Sequence, residues 1–492
     1  MTRIVRQALR LLLQRPPVSL AVLLALGLAG CAVGPNYRPP PLGAPARWTA
    51  PADTSAPDPA VLAEWWRQFG DPVLDRLVTE ALAANLNLAT ARAQLRQARA
   101  LRNLAWAQLG PQVDASFSAS RSRSGGGGVS GTHGGGDSTV ELYSAGFDAK
   151  WELDVFGGLR RGAEAAAADL GASLESLRDT RVSLVAEVVR NYVDLRTAQN
   201  RLGIAESSLA AFGETYDLAR WRLQAGLASE LDVAQARTEL ESTRATVPPL
   251  RTAMEAARHR LAVLLGRPPG ELQYLLEGAP PAVPVAGRAA AVGIPADTLR
   301  HRPDVRAAER RVAAQTARLG QAEAARFPTF NLSGSVGLEA LTLSGLTASG
   351  AGTNSLLGGI TAPIFQSGRI TANIEAQNAL LEQAVLAYRS AVLTALEDVE
   401  NALVAVANTS ERRGKLTLAA DSARETLQIA QQRYASGLTD FLSVLDSQRT
   451  LLNLEDQLAS SSGEVATAQV QLYKALGGGW SPGPESSRKE KQ

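Results

Sequence analysis

Between Phe147 and Val155 the chain alternates, with Phe147, Ala149, Trp151, Leu153 and Val155 set against Asp148, Lys150, Glu152 and Asp154. Period two predicts a strand with one apolar and one charged face, placed at about 147–156. After Phe156-Gly157-Gly158 the pattern becomes Arg160-Arg161-Gly162-Ala163-Glu164 followed by four alanines, a run that favours helix. The same change recurs where Ile360, Ala362 and Ile364 lead through Phe365-Gln366-Ser367-Gly368-Arg369 into a helical run from Ile370. That places a strand at about 357–366. Two further alternating stretches predict strands at about 111–121 and 328–339.

Helical patterning fills most of the rest. Asp71-Pro72 reads as an N-cap followed by proline at the first helical position, and opens a helix from Val73 to about Gln108. Leu159 to Ala225 contains no proline and as one helix would extend about 100 Å. Gly226 stops it, Ser229-Glu230-Leu231-Asp232 forms a capping box, and a helix returns to Gly266 with a bend at Pro248-Pro249. The second half repeats the order. A helix opens near Pro303-Asp304, and a long helix from Ile370 to Ser436 carries Leu381, Val385, Tyr388, Val392, Leu396, Val399, Leu403 and Val406 as a coiled-coil-like seam. Gly437 stops that helix, and the last one ends at Leu476-Gly477. Gly226 and Gly437 lie 211 apart, as do Leu265-Gly266 and Leu476-Gly477, which predicts an internal duplication. The chain therefore divides into 1–30, 31–72, a first repeat 73–266 with its turn at 226–229, a connector 267–302, a second repeat 303–476 with its turn at 437–440, and a disordered tail 477–492.

The formal charge of +2 changes meaning once the N-terminus is read. Arg3, Arg6, Arg10 and Arg15 precede an apolar run from Val18 to Gly30 that is too short to span a bilayer, the pattern of a secretory signal. Without those four arginines 46 basic residues face 48 acidic ones, so no basic surface for nucleic acid is expected. The run ends Leu28-Ala29-Gly30-Cys31, which resembles a bacterial lipobox and makes Cys31, the only cysteine, the lipidated first residue of the mature chain. No intrachain disulfide can form, and the lipid is the only attached group expected, with no cofactor and no metal. Residues 32–72 are proline-rich and read as extended rather than packed. The G-x-G-x-x-G match at Gly126–Gly131 joins two strands, whereas a dinucleotide loop must join a strand to a helix. His133, His259 and His301 are far apart, and the last two sit among arginines and read as solvated, so the chain is not read as an enzyme.

Four strands of about ten residues are long enough to cross an outer membrane when tilted. Only closed barrels satisfy every backbone group in lipid, and they need about eight strands or more, so several copies must share one barrel. A small soluble sheet with one solvated face gives the same alternation; the lipid anchor and long hairpin loops favour the barrel.

The residues resemble the TolC-like outer membrane factors, in their OprM-type lipoprotein branch. The resemblance rests on Cys31-Ala32-Val33-Gly34-Pro35-Asn36-Tyr37, Phe69-Gly70-Asp71-Pro72, Trp151-Glu152-Leu153-Asp154-Val155-Phe156-Gly157, Arg302-Pro303-Asp304-Val305-Arg306, Arg326-Phe327-Pro328, and Gly437-Leu438 through Asp446-Ser447-Gln448. It implies a mixed all-α plus β-barrel membrane protein: a homotrimer with a shared twelve-stranded barrel and a long periplasmic helical tunnel. It also implies docking to a periplasmic adaptor and an inner-membrane transporter of RND type. The function implied is the outer-membrane exit duct of a tripartite efflux system. A type I secretion duct and a structural coiled-coil lipoprotein are the alternatives. Matching family positions, Asp232 and Tyr434 would hydrogen-bond across neighbouring helices and hold the tunnel shut, while Asp446 and Leu442 would form an acidic and an apolar ring. Capping by Asp232 and packing by Tyr434 are the plain readings of the same residues. Ser443 stands where the family has a second aspartate, so a less acidic ring is expected.

Overall fold

The computed structural model of the 492-residue chain describes residues 32–55, 58–124, 138–272, 283–287 and 291–481. The signal at 1–30, Cys31, His133, the Gly126–Gly131 match and most of the tail lie outside the described residues. The described residues fall into two compact units: 32–40, 96–171 and 309–386 in one, and 41–95, 172–308 and 387–481 in the other.

The first unit is built on four antiparallel strands in the order β1-β2-β3-β4, namely β1 Gln112–Ser124, β2 Ser138–Leu153, β3 Thr329–Ala340 and β4 Gly352–Thr361. Their register aligns Phe117 with Ala145, Phe147 with Val336, and Gly334 with Leu356. Directly opposed residues share a face, so one face carries Val113, Phe117, Phe147, Trp151, Val336 and Ile360. All six are exposed. The other face carries Asp114, Ser116, Asp148, Lys150, Ser335 and Ser355, interrupted by Leu142 and Leu357. Ser116 Oγ donates to Asp148 at 2.7 Å, and Ser335 and Ser355 share a hydrogen bond of 2.7 Å across β3 and β4.

Two strands differ from expectation. β4 covers 352–361 rather than 357–366, because Pro363 has no N–H for the ladder and ends the pairing. β2 begins nine residues earlier than Phe147, at Ser138.

The second unit holds the main core. α1 (Pro59–Ala63) is capped by Asp58 and followed by a 3-10 turn, Trp65–Phe69. The segment 32–72 is therefore not simply extended: Trp48, Trp65, Trp66 and Phe69 are all buried in the core, and burying large rings is strongly favourable. Trp65 stacks on Tyr473 at 5.0 Å. The expected helix from Val73 to Gln108 is two helices, α2 (Pro72–Ala84) and α3 (Leu86–Ala107). Buried Asn85 separates them, accepting from Leu88 N at 3.0 Å and donating to Leu264 O at 2.8 Å. At the start of α2, Asp71 accepts from Val73 N and Leu74 N as expected of an N-cap, and also from Tyr192 Oη at 2.5 Å.

Four long helices complete the chain: α4 Gly158–Gln224, α5 Glu230–Leu264, α8 Arg369–Ala435 and α9 Phe441–Ala475. Between them lie α6 (Pro295–His301), which falls within the connector, and α7 (Pro303–Ala324). α4 and α8 each have 67 residues, α5 and α9 each have 35, and every boundary of the second pair lies 211 residues after its counterpart. α5 is continuous through Pro248 and Pro249.

His301 is not solvated. It stacks on buried Trp480 at 5.0 Å, and Arg178 and Arg306 lie over the same indole at 4.5 and 5.6 Å.

Candidate functional site

The two turns that join α4 to α5 and α8 to α9 share one backbone. In the first, Gly226 N donates to Leu223 O and Leu227 N to Arg222 O; in the second, Gly437 N donates to Tyr434 O and Leu438 N to Arg433 O. Gly226 and Gly437 have φ of 74° and 70°, a left-handed conformation that side chains resist and that closes a helix C-terminus. The leucine after each glycine stands out in solvent, 71% exposed at Leu227 and 68% at Leu438. Trp221, one turn before the first glycine, is 63% exposed; its counterpart in the second hairpin is Gln432.

The side chains that restart the helices are exchanged between the turns. Ser229 caps α5, and Asp232 three residues on accepts from Ser229 N at 2.8 Å and from Ser229 Oγ at 2.9 Å. In the second turn the acid comes first: Asp440 caps α9, accepting from Ser443 N at 3.0 Å and from Ser443 Oγ. These hydrogen bonds hold the Asp440 carboxyl below the ordinary carboxylate range. Ser443 thus has its aspartate one helical turn away at 440, and both return helices carry acid at the positive end, Glu230 and Asp232 on α5 and Asp440 on α9.

Tyr434 sits on an apolar cluster of Phe212, Ala219, Ala236, Leu240, Phe441 and Leu445. Its ring is 5.8 Å from Phe441, and the Arg222 guanidinium of the other hairpin lies over it at 4.6 Å. Asp446 pairs with Arg449 at 2.5 Å, and Arg449 also lies 3.9 Å from Glu239 of α5. Leu442, half exposed, shares with Asp440, Ser443, Asp446, Arg449 and Glu239 the wall of a shallow cavity of about 410 Å³. The structure therefore gathers Leu442 and Asp446 at one cavity, puts Tyr434 on the adjoining cluster, and engages Asp232 in its own capping box. Arg222, Arg449 and Asp440 were not singled out from sequence. Only the i, i+3 spacing of Asp446 and Arg449 could have signalled one of them.

Away from the turns, charged pairs link the helices of each hairpin: Arg260 to Glu187 and Arg251 to Glu206 between α4 and α5, Arg412 to Glu464 and Arg424 to Glu455 between α8 and α9. Most of these side chains are well exposed, so they fix register more than they stabilise.

The sheet with its exposed apolar face and the paired helical hairpins with matching turns are features of an outer-membrane channel protein. The family described as "Outer membrane efflux protein" matches residues 77–267 and 294–478, and this chain belongs to it. Nodulation protein T of Rhizobium leguminosarum bv. trifolii is 33% identical, with 93% of this chain and 96% of that one aligned. The toluene efflux pump outer membrane protein TtgF of Pseudomonas putida is 32% identical over 94% of this chain and 96% of that one. Among solved structures, the outer-membrane channel OprN is 38% identical with a TM-score of 0.85, covering 92% of this chain and 100% of that one. The open state of the Neisseria gonorrhoeae MtrE channel is 31% identical with a TM-score of 0.82, covering 92% and 99%. The chain is an outer-membrane exit duct for efflux.

Proposed function

We propose that three copies of the chain close their four-stranded sheets into one twelve-stranded barrel, with the helical hairpins forming a common duct on the periplasmic side. The observation that carries this reading is the sheet itself: an exposed apolar face bounded by two strands, β1 and β4, each with one edge unpaired among the described residues. Hydrocarbon tolerates neither open edge, so pairing between β1 of one copy and β4 of the next supplies the missing bonds. The polar face then lines a wet lumen. α8 supports the same assembly, because Leu380, Leu386, Leu393 and Val404 are exposed on a helix whose apolar stretch is little buried within one chain. Native mass spectrometry of the detergent-solubilised protein should give a trimer; a stable monomer would refute the assembly.

The duct serves a tripartite pump. An adaptor in the periplasm and an inner-membrane transporter of RND type deliver substrate, and the chain adds no chemistry of its own. It acts as a conduit rather than an enzyme, with no cofactor beyond the lipid on Cys31. The paired turns, with Leu227 and Leu438 standing in solvent, are the surfaces offered to the adaptor. Labelled palmitate entering the wild type and not Cys31→Ser would test the anchor.

The same turns form the gate. Tyr434 and Asp232 would latch neighbouring hairpins, with three copies of Leu442 and Asp446 narrowing the lumen. Pairing of Asp446 with Arg449 supports a ring of mixed charge, less acidic than the aspartate alone. Breaking one latch bond costs about 1–3 kcal/mol, enough to shift a closed state without unfolding the chain. Single-channel recording of Tyr434→Phe and Asp446→Ala should show larger open conductance or weaker block by multivalent cations, and wild-type behaviour in both would place the constriction elsewhere.

A further inference from the structure

The residues that follow Cys31 are held by a set of contacts that neither the duct nor the gate requires. Val33 N donates to Phe156 O at 3.0 Å, next to the junction of β2 and α4. The Arg161 guanidinium, whose side chain is only 5% exposed, donates from Nε to Val33 O at 3.2 Å and from Nη2 to Gly34 O at 3.3 Å and Asn36 Oδ1 at 2.8 Å. Its remaining partner is Glu164, at 2.8 Å. Tyr37 Oη donates to Glu309 at 2.8 Å.

Three glycines make room for this. A Cβ on Gly157, which has φ of 82°, would come within 2.7 Å of Ala32 Cα, and one on Gly34, with φ of 93°, within 2.4 Å of Gly320 Cα. A Cβ on Gly320 would press on both Arg161 Nε and Val33 O, at 3.1 and 3.2 Å. Beside the same junction, Phe156 stacks on Phe327 at 4.7 Å and lies 6.3 Å from Phe330.

We propose that Arg161, with Gly34, Gly157 and Gly320, forms a seat for the mature N-terminal segment and fixes it to the base of the sheet. A buried guanidinium needs acceptors for its donors, and three of the four here belong to residues 33–36. An empty seat would leave that charge with Glu164 alone, so occupancy is built into the fold. On the reading that Cys31 carries lipid, the consequence is a rigid anchor. The acyl chains are then held close to the β2–α4 junction rather than on a slack tether. Arg161 is a positioning residue in this account.

Hydrogen exchange read by mass spectrometry on the full mature protein in detergent tests the seat. The Val33 amide should exchange at least about tenfold faster in Arg161→Gln and in Gly320→Leu than in wild type, with β2 unchanged. Equal rates in all three proteins would overturn the proposal. Should Arg161→Gln loosen β2 as well, Asn36→Ala, altered only on the segment's side, decides: faster exchange of residues 33–37 supports the seat, and an unchanged rate overturns it. Palmitate labelling of the same proteins reports on Cys31 alone, so a failed anchor and a failed seat remain distinguishable.

Discussion

The sheet and the aromatic core handle apolar surface in opposite ways. Around Trp65 the chain buries its own rings: Trp65 is fully enclosed, stacked on Tyr473, edge-on to Trp66 and Phe69, and backed by Val185, Val188 and Val189. In the sheet the same kinds of residue, Phe117, Phe147 and Trp151, face outward. The rings of the core are enclosed within one chain. The sheet leaves its apolar face exposed, and on the assembly proposed above lipid covers that face and further copies pair with its edges. Stability measured in detergent should therefore respond to the two regions through different partners.

The largest effect is expected in the core. Trp65→Ala removes a buried indole and should cost about 3–5 kcal/mol, seen as a lower denaturant midpoint even for protein never exposed to lipid. If the loss appears only in the presence of membranes, the two regions are not independent. Next comes the sheet. Phe147→Lys, near the middle of β2, should cost about 2–4 kcal/mol in lipid while leaving the melting of the helical unit unchanged. Loss of helical melting temperature alongside failed insertion would blur the distinction.

How much of this was legible in the sequence follows the same divide. Period-two alternation located β1, β2 and β3, because a sheet with one apolar and one polar face writes its geometry directly into neighbouring residues. For β4 the alternating Ala362 and Ile364 fall beyond the strand, which covers 352–361. The long helices were found to within about one residue at their turns, since Gly226 and Gly437 each need a left-handed backbone. Features that depend on distant partners were not legible. Asn85 breaks a helix-favouring run by capping α3 through Leu88 N, and the partner that holds it buried, Leu264 O, lies far along the chain. Trp48 and Trp65 lie in a proline-rich stretch whose local signal is extended, yet the core claims them. At the turns, the capping role of Asp232 was readable from spacing, whereas Arg222 over Tyr434 brings two hairpins together and has no local trace.

A smaller effect is expected at His301, stacked on Trp480. Burial, reinforced by Arg306 and Arg178, lowers the pKa of His301. The folded chain then binds its proton less readily than the unfolded one, whose imidazole titrates near the ordinary value of about 6.5. The stabilisation is therefore fully present above that value and is lost as pH falls through it toward the lower folded pKa. Thermal melts at pH 7.5 and 5.5 should show a drop that His301→Gln reduces. An equal drop in both proteins would assign the acid sensitivity to other groups.

On the assembly proposed above, one chain is a third of a channel. Planar-bilayer recording of size-separated protein tests it most directly: the trimer fraction should insert and give discrete, uniform conductance steps, and the monomer fraction none. Steps of the same size from monomer, or a trimer that inserts and never conducts, would contradict the account.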